Sequence, residues 1–135
     1  MSDDDLEKIR LKKEEMLFIF QQKTKDIINI SDEDDFKRLI KEFPDMIFLI
    51  DFWADWCAPC KLYTPIFERA QQEFGKDYIF VKINIDENPK IAQDFGITSI
   101  PTTLIIKENQ LLRKFVGVVN FDSLKQILEK FKFSK

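Results

Sequence analysis

The chain has 135 residues, 44% of them hydrophobic, with 14 Phe, two Cys, no His and a net charge of −3, a composition that suits one domain with a sizeable core. Acids and bases are interspersed, with no basic stripe to hold nucleic acid and no apolar run of about 18 residues to span a membrane. The opening Asp3, Asp4 and Asp5 are acidic where a secretory leader would be positive, so a soluble, cytosolic protein is expected.

Leu6 to about Lys25 reads as a helix, with Leu6, Ile9, Met16, Leu17 and Phe20 near a three-four spacing. The run Leu17-Phe18-Ile19-Phe20 widens that stripe. Such a helix docks on the domain, on a second copy of the chain or in a partner's groove, and it is not basic enough for a membrane surface. Ile27-Ile28-Asn29-Ile30 predicts a short strand. Ser31 to Asp35 supplies an N-cap and first-turn acids for a helix carrying Phe36, Leu39, Ile40 and Phe43, which Pro44 ends. Met46 to Phe52 is nearly all apolar, as in a central strand covered on both faces. Leu62, Ile66, Phe67, Ala70 and Phe74 then form a helical stripe, stopped by Gly75 at a C′ position.

Tyr78 to Ile85 predicts a second central strand. Asn88-Pro89 reads as an N-cap and first residue of a short helix that stops at Gly96. Thr102 to Ile106 and Leu111 to Val116 flank Glu108-Asn109-Gln110 as a hairpin. Asn120 caps a last helix with the stripe Phe121, Leu124, Ile127, Leu128 and Phe131. The order is a helix followed by βαβαβαββα. It implies an α/β fold: a mixed sheet of about five strands, helices on both faces, plus an N-terminal helix.

Both cysteines lie in Trp56-Cys57-Ala58-Pro59-Cys60-Lys61, between a buried strand and a helix. That setting puts Cys57 at a helix N-terminus, where free amide N–H groups and the dipole favour thiolate, the nucleophile of disulfide exchange. Cys-x-x-Cys is also half a zinc site, but two Cys and no His cannot complete four ligands except across a dimer, so no metal is expected. A purely structural bridge over so short a loop is a further alternative, unlike the multi-cysteine frameworks of small secreted scaffolds. Redox chemistry is the favoured reading. Asp51, in an otherwise apolar strand, should have a raised pKa and be able to exchange a proton with Cys60; the alternative is a strand-end Asp facing solvent.

Together with Asp51, Pro65, Ile100-Pro101-Thr102 and Gly117, this motif makes residues 27 to about 133 resemble the thioredoxin family. The resemblance implies a thioredoxin fold over 27–135 preceded by a helical extension over 1–26. It implies that Cys57 attacks a substrate disulfide and Cys60 resolves the mixed disulfide, Cys57 being the more exposed of the two. It places Lys82 beside Asp51, the alternative being an outward-facing strand Lys. Pro101 would follow a cis bond, leaving the Ile100 backbone free to pair with an extended substrate segment. Trp56, Ala58, Pro59, Ile100, Pro101, Gly117 and Val118 would form the substrate surface, while Pro65 kinks its helix and Trp53 packs in the core.

Ala58 replaces a Gly usual in the family, and the hairpin turn lacks Gly, which predicts a longer or differently shaped turn. The resemblance implies reduction of disulfide-containing proteins, with recharging by a separate reductase such as thioredoxin reductase. No cofactor is expected, because three Gly provide no phosphate-binding loop. A disulfide oxidant or isomerase is disfavoured by the lack of His between the cysteines, and a glutathione-dependent activity by the lack of cations besides Lys61. A binding module acting through the N-terminal helix, or a homodimer through it, is the alternative from another class.

Overall fold

A computed structural model describes residues 3–24 and 26–133, with side chains over residues 3–15 and 26–133. In chain order the elements are α1 (Asp3–Thr24), β1 (Ile28–Asn29), α2 (Glu33–Glu42), β2 (Ile47–Trp53) and α3 (Ala58–Phe74). They continue with β3 (Tyr78–Asn84), α4 (Pro89–Asp94), β4 (Thr102–Lys107), β5 (Gln110–Val116) and α5 (Phe121–Phe131). The five strands form one sheet in the order β1-β3-β2-β4-β5. β1 and β2 run parallel to β3, while β4 runs antiparallel to β2 and to β5, giving the expected mixed sheet.

The alternation of β2 explains its near-continuous apolar sequence. Phe48, Ile50 and Phe52 point into the layer of α2 and α4, with Phe36, Leu39, Ile91 and Ala92. Ile47 and Leu49 point into the layer of α3 and α5, with Tyr63, Phe67, Phe74, Leu124 and Leu128. Each Phe or Leu fully buried this way contributes roughly 1.5–3 kcal/mol, so a strand with both faces covered holds the molecule together. Tyr78 lies in the same layer and donates from its hydroxyl to the Leu128 carbonyl at 2.6 Å, tying α5 to the sheet.

Two predicted caps form as expected. Asp32 accepts from the Asp35 N–H at 2.8 Å while the Asp35 carboxylate accepts from the Ser31 N–H at 3.0 Å, and Asn120 accepts from the Ser123 N–H at 2.9 Å. Asn88 precedes α4 but makes no side-chain cap; its amide instead donates to the carbonyls of Asn84 at 3.1 Å and Ile30 at 3.4 Å. Gly75 is right-handed (φ −62°), so it closes α3 without the left-handed turn expected of a C′ glycine. The buried stripe of α3 runs through Cys60, Tyr63, Phe67, Ala70 and Phe74, whereas Leu62 is 68% exposed. Hydrophobicity alone favours Leu62; the helical phase set by Phe67 favours Tyr63.

The hairpin turn is not longer than usual. Lys107 pairs with Gln110, leaving a two-residue loop of Glu108 (φ 53°) and Asn109 (φ 61°), both left-handed as a type I′ turn requires. At the other end, α1 covers Asp3–Thr24, and every side chain of residues 3–15 is exposed, Leu6, Ile9 and Leu11 included. The docking predicted for Met16, Leu17, Phe18, Ile19 and Phe20 concerns side chains outside those described. No helix among the described residues is long and apolar enough to cross a membrane.

Candidate active site

β2 lies at the centre of the sheet, and its C-terminal end delivers the chain to the site. The Trp53 carbonyl accepts from the Ile85 N–H at 2.9 Å, and the Ala54 carbonyl from the Cys57 N–H at 3.2 Å, so backbone bonds fix the path of the turn before α3. Cys57 is the N-cap of α3: its Sγ accepts from the Cys60 N–H at 3.2 Å. Pro59 sits in the first turn, where its missing N–H costs nothing. Cys57 and Cys60 are joined as a disulfide with Cα atoms 5.3 Å apart.

The expected difference in exposure between the cysteines is absent. Cys57 is 4% exposed and Cys60 3%, because both pack with Ala54 against Trp53, Ile85 and Ile100. The Cys57 Sγ points inward, 3.7 Å from the Ile100 carbonyl oxygen. The bond between Ile100 and Pro101 is cis, as the resemblance implied, and the Gly117 N–H donates to the Pro101 carbonyl at 2.8 Å, bringing the end of β5 beside that bond. Gly117 has φ 93°, a conformation that side chains disfavour. Around this centre Trp56, Ala58, Pro59 and Val118 are exposed.

Asp51 is fully buried, so it does not face solvent. It shares the α3 side of β2 with Ile47 and Leu49 by alternation, and no described residue hydrogen-bonds either carboxylate oxygen. Burial pushes its pKa up to about 7, and the charge of Lys82 pulls it the other way. Lys82 is its register partner on β3, half-buried on the same side rather than turned outward. The Lys82 ammonium donates to Thr64 Oγ1 at 3.4 Å and lies 4.9 Å from the Trp53 ring centroid. Thr64 Oγ1 donates in turn to the Cys60 carbonyl at 3.1 Å. Trp53 is thus both packing for the cysteines and a cation-binding face for Lys82.

Four residues of this region escape a reading of the sequence. Asp86 accepts from the Trp56 indole N–H at 2.9 Å, fixing an otherwise exposed ring. Thr64 joins Lys82 to the turn of Cys60, and the hydroxyls of Thr103 and Tyr63 meet at 3.0 Å in the buried layer. The one available signal is Tyr63 itself, since a tyrosine on a buried stripe needs a partner for its hydroxyl. Pairing across 30 or 40 residues leaves no local mark at Asp86 or Thr103.

A family model described as thioredoxin matches residues 27–130. Thioredoxin 1 of Nostoc sp. is 43% identical over 86 residues, covering 64% of this chain and 80% of the relative. Thioredoxin of Buchnera aphidicola is 38% identical over 103 residues, covering 76% of this chain and 94% of the relative. Among solved structures, Malassezia sympodialis thioredoxin superposes with a TM-score of 0.70 at 32% identity, over 79% of this chain and 91% of that one. Backbone, sequence and the closed cysteine pair agree, and the chain belongs to the thioredoxin family of dithiol–disulfide oxidoreductases.

Proposed function

We propose that the protein reduces disulfides of other proteins in the cytosol, with Cys57 as attacking and Cys60 as resolving thiol. The observation that carries this assignment is Cys57 as the N-cap of α3. A thiolate there accepts the Cys60 N–H and meets the positive end of the helix dipole, which favours the ionised form at neutral pH. The Cys57 thiolate attacks one sulfur of the substrate disulfide; that S–S bond breaks and the first substrate thiolate leaves, taking up a proton. Cys60 then gives its proton to Asp51 and attacks Cys57 Sγ, expelling the second substrate thiolate and closing Cys57–Cys60. Two electrons pass to the substrate, and a separate reductase of the thioredoxin-reductase kind restores the dithiol.

Docking is assigned to the exposed Trp56, Ala58, Pro59 and Val118 and to the backbone of Ile100, Pro101 and Gly117 beside the sulfurs. A backbone contact with an extended peptide is tolerant of sequence, which suits varied protein substrates. With a disulfide-bearing protein as substrate, Cys60→Ser should accumulate mixed disulfides through Cys57, and Cys57→Ser should trap none. Equal trapping by the two variants would overturn the assignment. A second role, favoured by the bare surface of residues 3–15, is contact with a partner or a second copy through residues 1–26 as an extension of the 27–135 domain.

A further inference from the structure

Beneath the disulfide, the sheet and α3 enclose a set of polar side chains that the proton step does not account for. Thr103 is the register partner of Asp51 on β4, so the two side chains project from the same face of adjacent strands. Tyr63 reaches that layer from α3, three residues after Cys60 and on the same buried helix face. Both are fully buried, and their hydroxyl oxygens are 3.0 Å apart. Two hydroxyls carry two protons, and the bond between them uses one. The other belongs to a pair lying beside a carboxylate that no described residue hydrogen-bonds.

We propose that the Tyr63–Thr103 hydroxyl pair is a positioning element for Asp51, turning its second proton toward the carboxylate when Asp51 ionises beneath Cys60. The proposal deepens the reading of Asp51 as the proton acceptor of Cys60 and rests on it. An ionised carboxylate in an apolar layer is costly unless a donor meets it. The titratable groups that act on Asp51 are Lys82 from β3 and Tyr63 from α3, and β4 adds the Thr103 hydroxyl. The α5 residues buried on this side, Leu124 and Leu128, are uncharged. Lys82 is held toward Thr64 and the Trp53 ring. Burial and the charge of Asp51 push the Tyr63 phenol far above its ordinary value, so it remains a donor throughout the range in which Asp51 titrates. Neither hydroxyl oxygen is in hydrogen-bond geometry with Asp51 in this structure, so meeting the ionised carboxylate takes a small side-chain movement; because Thr103 can donate to Tyr63 or accept from it, the proton of either hydroxyl is available for that contact.

The test is the titration of Asp51 in the oxidised full-length protein, followed by NMR of carboxyl-labelled Asp. Tyr63→Phe and Thr103→Val each remove a hydroxyl with little change of shape, and each should raise the Asp51 midpoint by about one pH unit. The double variant should raise it no further than the larger single change, and Thr103→Ser should keep the wild-type midpoint. Unchanged midpoints in folded variants would overturn the proposal, leaving the two hydroxyls to satisfy only each other. If Tyr63→Phe fails to fold, the Thr103→Val and Thr103→Ser comparison decides alone. The underlying reading is tested apart, by the pH dependence of mixed-disulfide resolution. If Asp51→Asn leaves that rate unchanged, the role of Asp51 fails even where the titration midpoint has moved.

Discussion

Asp51 shows what a single residue can disclose. A lone carboxylate among Leu49, Ile50 and Phe52 is legible as a site residue because burying it needs a reason, and the structure buries it completely. Its pKa, raised from an ordinary 3.8 to about 7, gives stability a pH dependence of definite sign. The native state holds the Asp51 proton where the unfolded chain has released it, so stability is full below pH about 4 and falls as pH rises toward 7. A rise of that size corresponds to at most about 4 kcal/mol of destabilisation above neutrality. Asp51→Asn should remove most of this slope, which denaturant unfolding of the oxidised protein at pH 4 and pH 8 would measure; equal slopes in both proteins would contradict it. The burial of Cys57 is not legible, because it arises from Trp53, Ile85 and Ile100 closing over the sulfurs.

At the scale of elements, patterning reveals nearly every helix and strand, since buried faces impose a period on the sequence. Boundaries and turns are less legible. Asn88 looks like a cap because Asn often is one, yet a long-range acceptor at Ile30 claims its amide. The hairpin misleads because absence of Gly argues for a longer loop, while the ladder from Lys107 to Gln110 imposes a tight turn on Glu108 and Asn109. Left-handed backbone suits Gly and Asn better than Glu. Replacing Glu108-Asn109 by Asn-Gly should therefore stabilise the fold by about 1 kcal/mol and raise Tm by roughly 2–8 °C. A thermal melt measures it; a lowered Tm would show that Glu108 contributes more than backbone compatibility.

Across the whole molecule, the two apolar layers and the mixed character of the sheet follow from the sequence, because each crossover helix must return to cover a face of the sheet, whereas the strand order β1-β3-β2-β4-β5 emerges only in the structure. What the sequence does not show is how little the start of α1 rests on the remainder. Side chains of residues 3–15 are all exposed, so a chain beginning at residue 16 should melt within about a degree or two of the full chain. A large loss of Tm, dependent on protein concentration, would instead reveal that those residues are covered by a second copy. The strand order has a consequence for opening motions. β2 is laddered on both sides and covered on both faces, whereas two-residue β1 and the exposed β5 form the margins of the sheet. Amide protons of β2 should therefore be the slowest to exchange with solvent, those at the margins exchanging through local fraying, which hydrogen exchange followed by NMR would measure. The cysteines begin at the end of that slowest-exchanging strand, so the redox turn is anchored in the part of the molecule that opens last.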